Sequence, residues 1–356
     1  MLLRQAVISS CHGGAQVITG DPQQDIHPQA GSPRRRVLAA AALAPALAAA
    51  APAPARALGP ARVPASAPPG TSRHGLIKPV HTTQSDWASV AAHLGGLGDM
   101  KQKTMYHTGF PRRDLRVVSD RVTVKPALAL GSHVAFVRYE DGSSLVMGDL
   151  VVTEHELQRF CDTLHKHRLA VTALHKHLLA QRPSVWWLHV HGHGHDPAHL
   201  ARGLRAAFDG TGTPLPLPPG IENPVDLDTD GVEEALGAKG SVDGEIFKCI
   251  FVRRERITDG DLVLPPGLGS TTALNFQPLG DGRAAVSGDC AMIAEEVQKV
   301  LAALRRAGAE LVELHNHGLT DEPRLFFVHF WAVGDAVRLA RALRPAMDAT
   351  NVIAAG

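Results

Sequence analysis

Glu310-Leu-Val-Glu-Leu-His-Asn-His-Gly-Leu-Thr-Asp-Glu-Pro-Arg-Leu-Phe-Phe-Val-His-Phe-Trp331 decides the fold, because the chain carries it twice. The earlier copy is Ala170-Val-Thr-Ala-Leu-His-Lys-His-Leu-Leu-Ala-Gln-Arg-Pro-Ser-Val-Trp-Trp-Leu-His-Val-His191. His175, His177 and His189 fall on His315, His317 and His329, and Pro183 falls on Pro323. Upstream, Asp141-Gly142 aligns with Asp281-Gly282, Gly148-Asp149 with Gly288-Asp289, and Glu156 with Glu296. Downstream, after a one-residue slip, Leu200–Arg205 lies on Leu339–Arg344. The chain is an internal duplication of roughly 125 residues per copy.

The duplication sets the domain organisation. Repeat one spans 86–210, a proline-rich connector spans 211–225, and repeat two spans 226–350. Each copy reads strand-strand-helix-strand-strand-helix behind a short leading helix near Trp87–Leu94 or Thr229–Leu236. Asp141-Gly142 and Asp281-Gly282, each between apolar runs, mark tight hairpins, since glycine tolerates the positive φ such turns need. Thr153 with Glu156 three residues later is a helix-start pattern. Leu157, Phe160 and Leu164, and Val297, Val300 and Leu304, then recur at helical spacing. These features predict an α+β fold: two tandem homologous repeats, each an antiparallel sheet with helices packed on one face.

Residues 1–57 are expected to lie outside the folded body. Pro33-Arg-Arg-Arg-Val-Leu38, an alanine-rich apolar run and Ala55-Arg-Ala57 resemble a twin-arginine (Tat) export signal. Export to the periplasm or the medium is therefore expected. Residues 58–85 read as a Pro/Ala-rich linker. No later run is apolar enough to span a membrane, and a formal net charge of +1 argues against nucleic acid as a partner. Cys249 and Cys290 could pair after export, although spacing alone does not bring them together.

The histidines carry the chemistry. Alternation along a strand places His175 and His177 on one face about 7 Å apart, and likewise His315 and His317. His189 and His329 lie on the following strand, so three imidazoles converge in each repeat. His191 extends the row in repeat one, followed by His193 and His195. Three histidines with an open position suit zinc or another transition metal, one site per repeat. Glu156 and Glu296 are the candidate catalytic carboxylates, as general bases on a metal-bound water in a metal-dependent hydrolase, with a fourth metal ligand or a partner orienting the histidines as the other roles open to them. Gly148-Asp149 and Gly288-Asp289 end the hairpins and read first as turn or cap residues, with orientation of a histidine ring by Asp149 or Asp289 as the alternative. Arg112-Arg113 and Arg253-Arg254 read as solvated surface. Two alternatives stand beside the metal reading: a non-enzymatic cell-envelope ligand-binding module with Trp186-Trp187 and Phe326-Phe327 facing a cleft, and a purely structural histidine network.

Leu314-His-Asn-His317, the Asp321–Trp331 run and Arg338-Leu-Ala-Arg-Ala-Leu343 together resemble a bacterial family of unknown function, the LppY/LpqO-like lipoproteins, whose members commonly carry this domain twice. The resemblance covers 86–350 and implies an exported, duplicated protein. It supplies no catalytic residues. Lys176 in place of Asn316, and the histidine row in place of Phe330-Trp331, set repeat one apart from the motif.

Overall fold

The structure, a computed structural model, describes residues 75–216 and 224–355. The expected export segment and most of the linker lie outside the described residues, as does part of the connector. Both repeats belong to one unit, Thr71–Gly356.

Repeat one begins with helix α1 (Ala88–Leu94) and strands β1 (Asp99–Lys101), β2 (Met105–Pro111), β3 (Gly131–Arg138) and β4 (Ser144–Thr153). Helix α2 (Glu154–Lys166), strands β5 (Ala170–His175) and β6 (Val185–Gly194), and helix α3 (Pro197–Phe208) complete it. Its main sheet has six strands in the order β1-β2-β3-β4-β6-β5, all antiparallel, and Val117–Ser119 with Val122–Val124 form a separate two-stranded hairpin. Repeat two has α4 (Thr229–Leu236), β7 (Gly240–Asp243), β8 (Ile246–Arg253), β9 (Thr271–Gly280) and β10 (Arg283–Met292). It continues with α5 (Ala294–Arg306), β11 (Glu310–His315), β12 (Phe326–Asp335), α6 (Ala336–Asp348) and β13 (Val352–Ala354). The order is β11-β12-β10-β9-β8-β13, with β7 also on β8. The predicted fold class is the observed one.

Strand alternation explains the layers. In repeat one, Val134, Phe136, Val146, Leu150, Val152, Leu188 and Val190 point to one face and bury against Leu157, Phe160 and Leu164 of α2 and Leu200 and Leu204 of α3. In repeat two, Leu274, Phe276, Val286, Val328 and Phe330 meet Val297, Val300 and Leu304 of α5 and Leu343 of α6 in the same way. The residues of opposite parity face the other repeat. Val151, Val185 and Trp187 share one apolar cluster with Ile246, Ala285 and Trp331. Met105, Leu145 and Met147 share another with Ala291, Leu325 and Phe327. The two sheets therefore pack inner face to inner face, with helices on their outer faces. Burial of these apolar faces is the main force joining the repeats.

The hairpins are longer than the sequence signals. Both turns form as expected, with φ of +81° at Gly142 and +70° at Gly282. β4 runs ten residues because β6 pairs with it along its whole length, from Ser144 opposite Gly194 to Thr153 opposite Val185. That length corrects the reading of Asp149. It sits inside β4 with its side chain on the inner face, opposite His189, and does not end a hairpin. Asp289 occupies the same place opposite His329. Cys249 and Cys290 are buried free thiols in the helix-facing core of repeat two.

Candidate metal centre

Each histidine motif sits where an edge strand ends. β5 closes on His175 and β11 on His315, and His177 and His317 follow two residues later. A bulge interrupts both strands, between Val171 and Ala173 and between Leu311 and Glu313. The extra residue restores the parity that turns His175 and His315 inward, opposite Trp187 and Phe327. Cross-bonds then hold the two strand ends side by side. The Thr172 hydroxyl donates to the His317 carbonyl, Asn316 Nδ2 donates to the Thr172 carbonyl at 3.0 Å, and the Lys176 N–H donates to Glu313 Oε2 at 2.8 Å.

This closure merges the two histidine sets. His175 and His315 stack with ring centroids 4.1 Å apart. His189 stacks on His175 at 4.6 Å and His329 on His315 at 4.8 Å. The second histidine of each motif crosses to the other repeat, His177 to 3.8 Å from His329 and His317 to 3.9 Å from His189. Trp187 and Phe327 stack beneath His177 and His317. Three sets of ligand atoms lie within 4.8 Å of one another: His175/His315/His329, His189/His315/His317 and Asp149/His175/His189. His177 completes the cluster, its Nε2 at 3.0 Å from both His175 Nε2 and Asp149 Oδ2.

The hydrogen bonds leave lone pairs aimed inward. His189 Nδ1 lies 3.3 Å from the Gly148 carbonyl, His329 Nδ1 lies 3.3 Å from the Gly288 carbonyl, and His317 Nδ1 lies 3.3 Å from the Gly269 carbonyl. A carbonyl only accepts, so each Nδ1 carries the proton and each Nε2 the lone pair. All three Nε2 atoms are buried without a hydrogen-bond partner among the described residues. Both ring nitrogens of His315, and one carboxylate oxygen each of Asp149 and Asp289, are also unpartnered. Orphaned buried polar atoms are costly, and eight side chains gathering this many is a donor set for a cation. Backbone carbonyls fixing the ring tautomer are the usual support behind metal-bound imidazole.

Burial pushes His175, His177, His189, His317 and His329 well below the ordinary imidazole pKa, and neighbouring rings push the same way. Nearby carboxylates oppose this in part for His177, His189, His317 and His329. The rings are held neutral, the form that binds metal. In the metal-free protein this creates a pH dependence of defined sign. Below about pH 6.5 the unfolded chain takes up protons on these rings while the folded one does not. Stability is therefore full above that value and falls with acidification, by up to about 1.4 kcal/mol per pH unit for each such ring. Urea unfolding in chelator from pH 7.5 to 5.5 is the check, and a midpoint that holds or rises would contradict this burial.

The remaining sequence candidates lie elsewhere. His191 pairs across the repeats with Asp259, Nε2 to Oδ2 2.6 Å, and His193 and His195 are exposed. Glu156 is held by Arg112 Nη1 at 2.9 Å and by the N–H groups of Thr153 and Gly212. Burial opposes its ionisation, yet these donors hold it below the usual carboxylate range. Glu296 repeats the arrangement with Arg253, Ile293 N–H and Asn351 N–H. Neither carboxylate is among the grouped ligand atoms. Both act as helix-start acceptors and counter-ions, which leaves no free lone pair for base catalysis at the centre. Arg112 and Arg253 are buried rather than solvated. Sequence reasoning underrated Asp149 and Asp289, although their duplication beside the histidines was the available signal.

A family model described as a Domain of Unknown Function (DUF1259) matches twice, over residues 88–210 and 230–349. The chain belongs to the DUF1259 family. No curated protein matches it. A solved trimeric bacterial microcompartment shell protein, PduB, is similar at 12% identity over 69% of this chain and 86% of that chain, with a TM-score of 0.18. A likeness that slight bears on neither fold nor function.

Duplication of the DUF1259 domain changes what the histidines can build. The sequence predicts one site in each copy, whereas the geometry gathers both sets into one cluster between the two DUF1259 domains. Any two of the three ligand groups share an imidazole: His315, His175 or His189. A neutral ring offers one lone pair, so these groups cannot fill together.

Proposed function

We propose that this protein binds a transition-metal ion in a single centre shared by its two repeats. The observation that carries this reading is the set of buried, unpartnered ring nitrogens converging from both repeats. An imidazole-rich set with one or two carboxylates suits zinc, copper, nickel or iron, with zinc as the reference case. Elemental analysis of untagged protein, stripped with chelator and then reloaded, is expected to return one ion per chain. A well-folded protein that takes up none would overturn the reading.

The hydrolase version requires a base other than Glu156 and Glu296. Asp149 and Asp289 are the carboxylates placed to accept a proton from a metal-bound water. A structural network is the second reading, favoured by the stacked rings and by the His175–His177–Asp149 contacts. It is distinguished by loss of stability without any metal to lose.

The twin-arginine-like segment and the resemblance to LppY/LpqO-like lipoproteins support work outside the cytoplasm. Replacing Arg34, Arg35 and Arg36 with lysine is expected to hold the protein in the cytoplasmic fraction. Unchanged export would remove the Tat route.

A further inference from the structure

A buried donor cluster needs a way in for its ion. On the inner face of repeat one, Gly109, His133, Asp149 and His189 lie directly opposite one another on successive strands, β2, β3, β4 and β6. Cross-strand neighbours of this kind are about 5 Å apart. The row therefore runs from β2 into the centre in single side-chain steps. Exposure changes along it: His133 is exposed, while Asp149 and His189 are buried.

His107 stands behind His133, with ring centroids 5.7 Å apart. Burial, then His133 and Lys101, push His107 down to about 3. Repeat two offers no counterpart. The equivalent row is Ile250, Ala273, Asp289 and His329, and Lys248 takes the place of His107. Each copy carries three of the six central histidines and one of the two aspartates, but of the two equivalent rows only that of repeat one carries imidazoles on the approach to them.

We propose that His133, backed by His107, is the inlet of the centre: a surface ligand that captures a transition-metal ion from solvent and hands it past Asp149 to the buried imidazoles. The inference rests on the metal-binding reading above. It makes the duplication functionally one-sided, with both repeats holding the ion and repeat one admitting it. No bond is made or broken beyond ligand exchange.

Cobalt(II) loading of the full chain after chelator stripping, followed by stopped-flow absorption, separates inlet from centre. His133→Ala is expected to take up the same amount of cobalt as the unaltered protein, with loading and chelator extraction both slowed by about tenfold, because a path acts on rates in both directions. His107→Ala is expected to slow both less, His133→Glu to restore part of the rate, and His155→Ala on the exposed face of α2 to change nothing. Unchanged rates in His133→Ala would overturn the inlet and leave the centre standing. Reduced stoichiometry or affinity in His133→Ala would also overturn it, by making His133 a resident ligand. No cobalt uptake by the unaltered protein would remove both the centre and its inlet.

Discussion

His175→Ala combined with His177→Ala removes all of the bound metal, not half of it. The same holds for His315→Ala with His317→Ala. Each pair supplies ligand atoms to a cluster that also draws on the other repeat, and every ligand group contains His175 or His315. With His175 gone, the group that remains is His189/His315/His317, and its His315 ring has lost the stacked neighbour 4.1 Å away that held it in place. Loss of supporting contacts alone costs metal sites roughly 10–100-fold in affinity, and loss of a ligand costs more. Elemental analysis beside the unaltered protein is the check. A loss of half the metal with each pair would mean independent sites in the two repeats.

Arg253→Met is expected to destabilise the protein by about 3–5 kcal/mol, lowering its melting temperature by roughly 10 °C. The Arg253 side chain is fully buried and binds Glu296, Glu255 and the Ala291 carbonyl. Its removal strands Glu296, which is 8% exposed, without its counter-ion. Leaving one charge of a buried pair alone is far costlier than replacing both. Arg253→Met with Glu296→Gln should therefore recover part of the loss, while Arg338→Ala on the surface should cost almost nothing. Arg112→Met is expected to behave alike, since Asp114, Glu156 and the Val151 carbonyl surround Arg112 in the same pattern. Equal stability of Arg253→Met and the unaltered protein would show that the clamp contributes nothing.

Much of this was legible in the sequence because the chain repeats itself. The hairpin turns at Asp141-Gly142 and Asp281-Gly282, the apolar stripes of α2 and α5 and the alternation that turns His189 and His329 inward all follow from local periodicity. Periodicity tells which residues share a face, however, and is silent about what that face meets. His175 and His315 therefore read as members of two sites, although the packing of sheet on sheet puts their rings in contact. The bulges in β5 and β11 were equally hidden, since nothing in Val171-Thr-Ala173 or Leu311-Val-Glu313 marks an extra residue. Asp149 looked like a turn residue because Gly-Asp commonly is one, and only pairing with the whole of β6 reveals it as an inward carboxylate. Glu156 looked free for catalysis because Arg112 lies 44 positions away in sequence. The same pairing of Arg253 with Glu296 in repeat two was the clue that the two belong together.

The central claim is one shared centre, and anomalous X-ray diffraction from crystals of the zinc-loaded protein tests it most directly. The account predicts a single anomalous peak per chain between the repeats, ringed by imidazoles from both, with Asp149 or Asp289 alongside. Two peaks, each enclosed by the histidines of one repeat, or no peak within reach of His175 and His315, would contradict it.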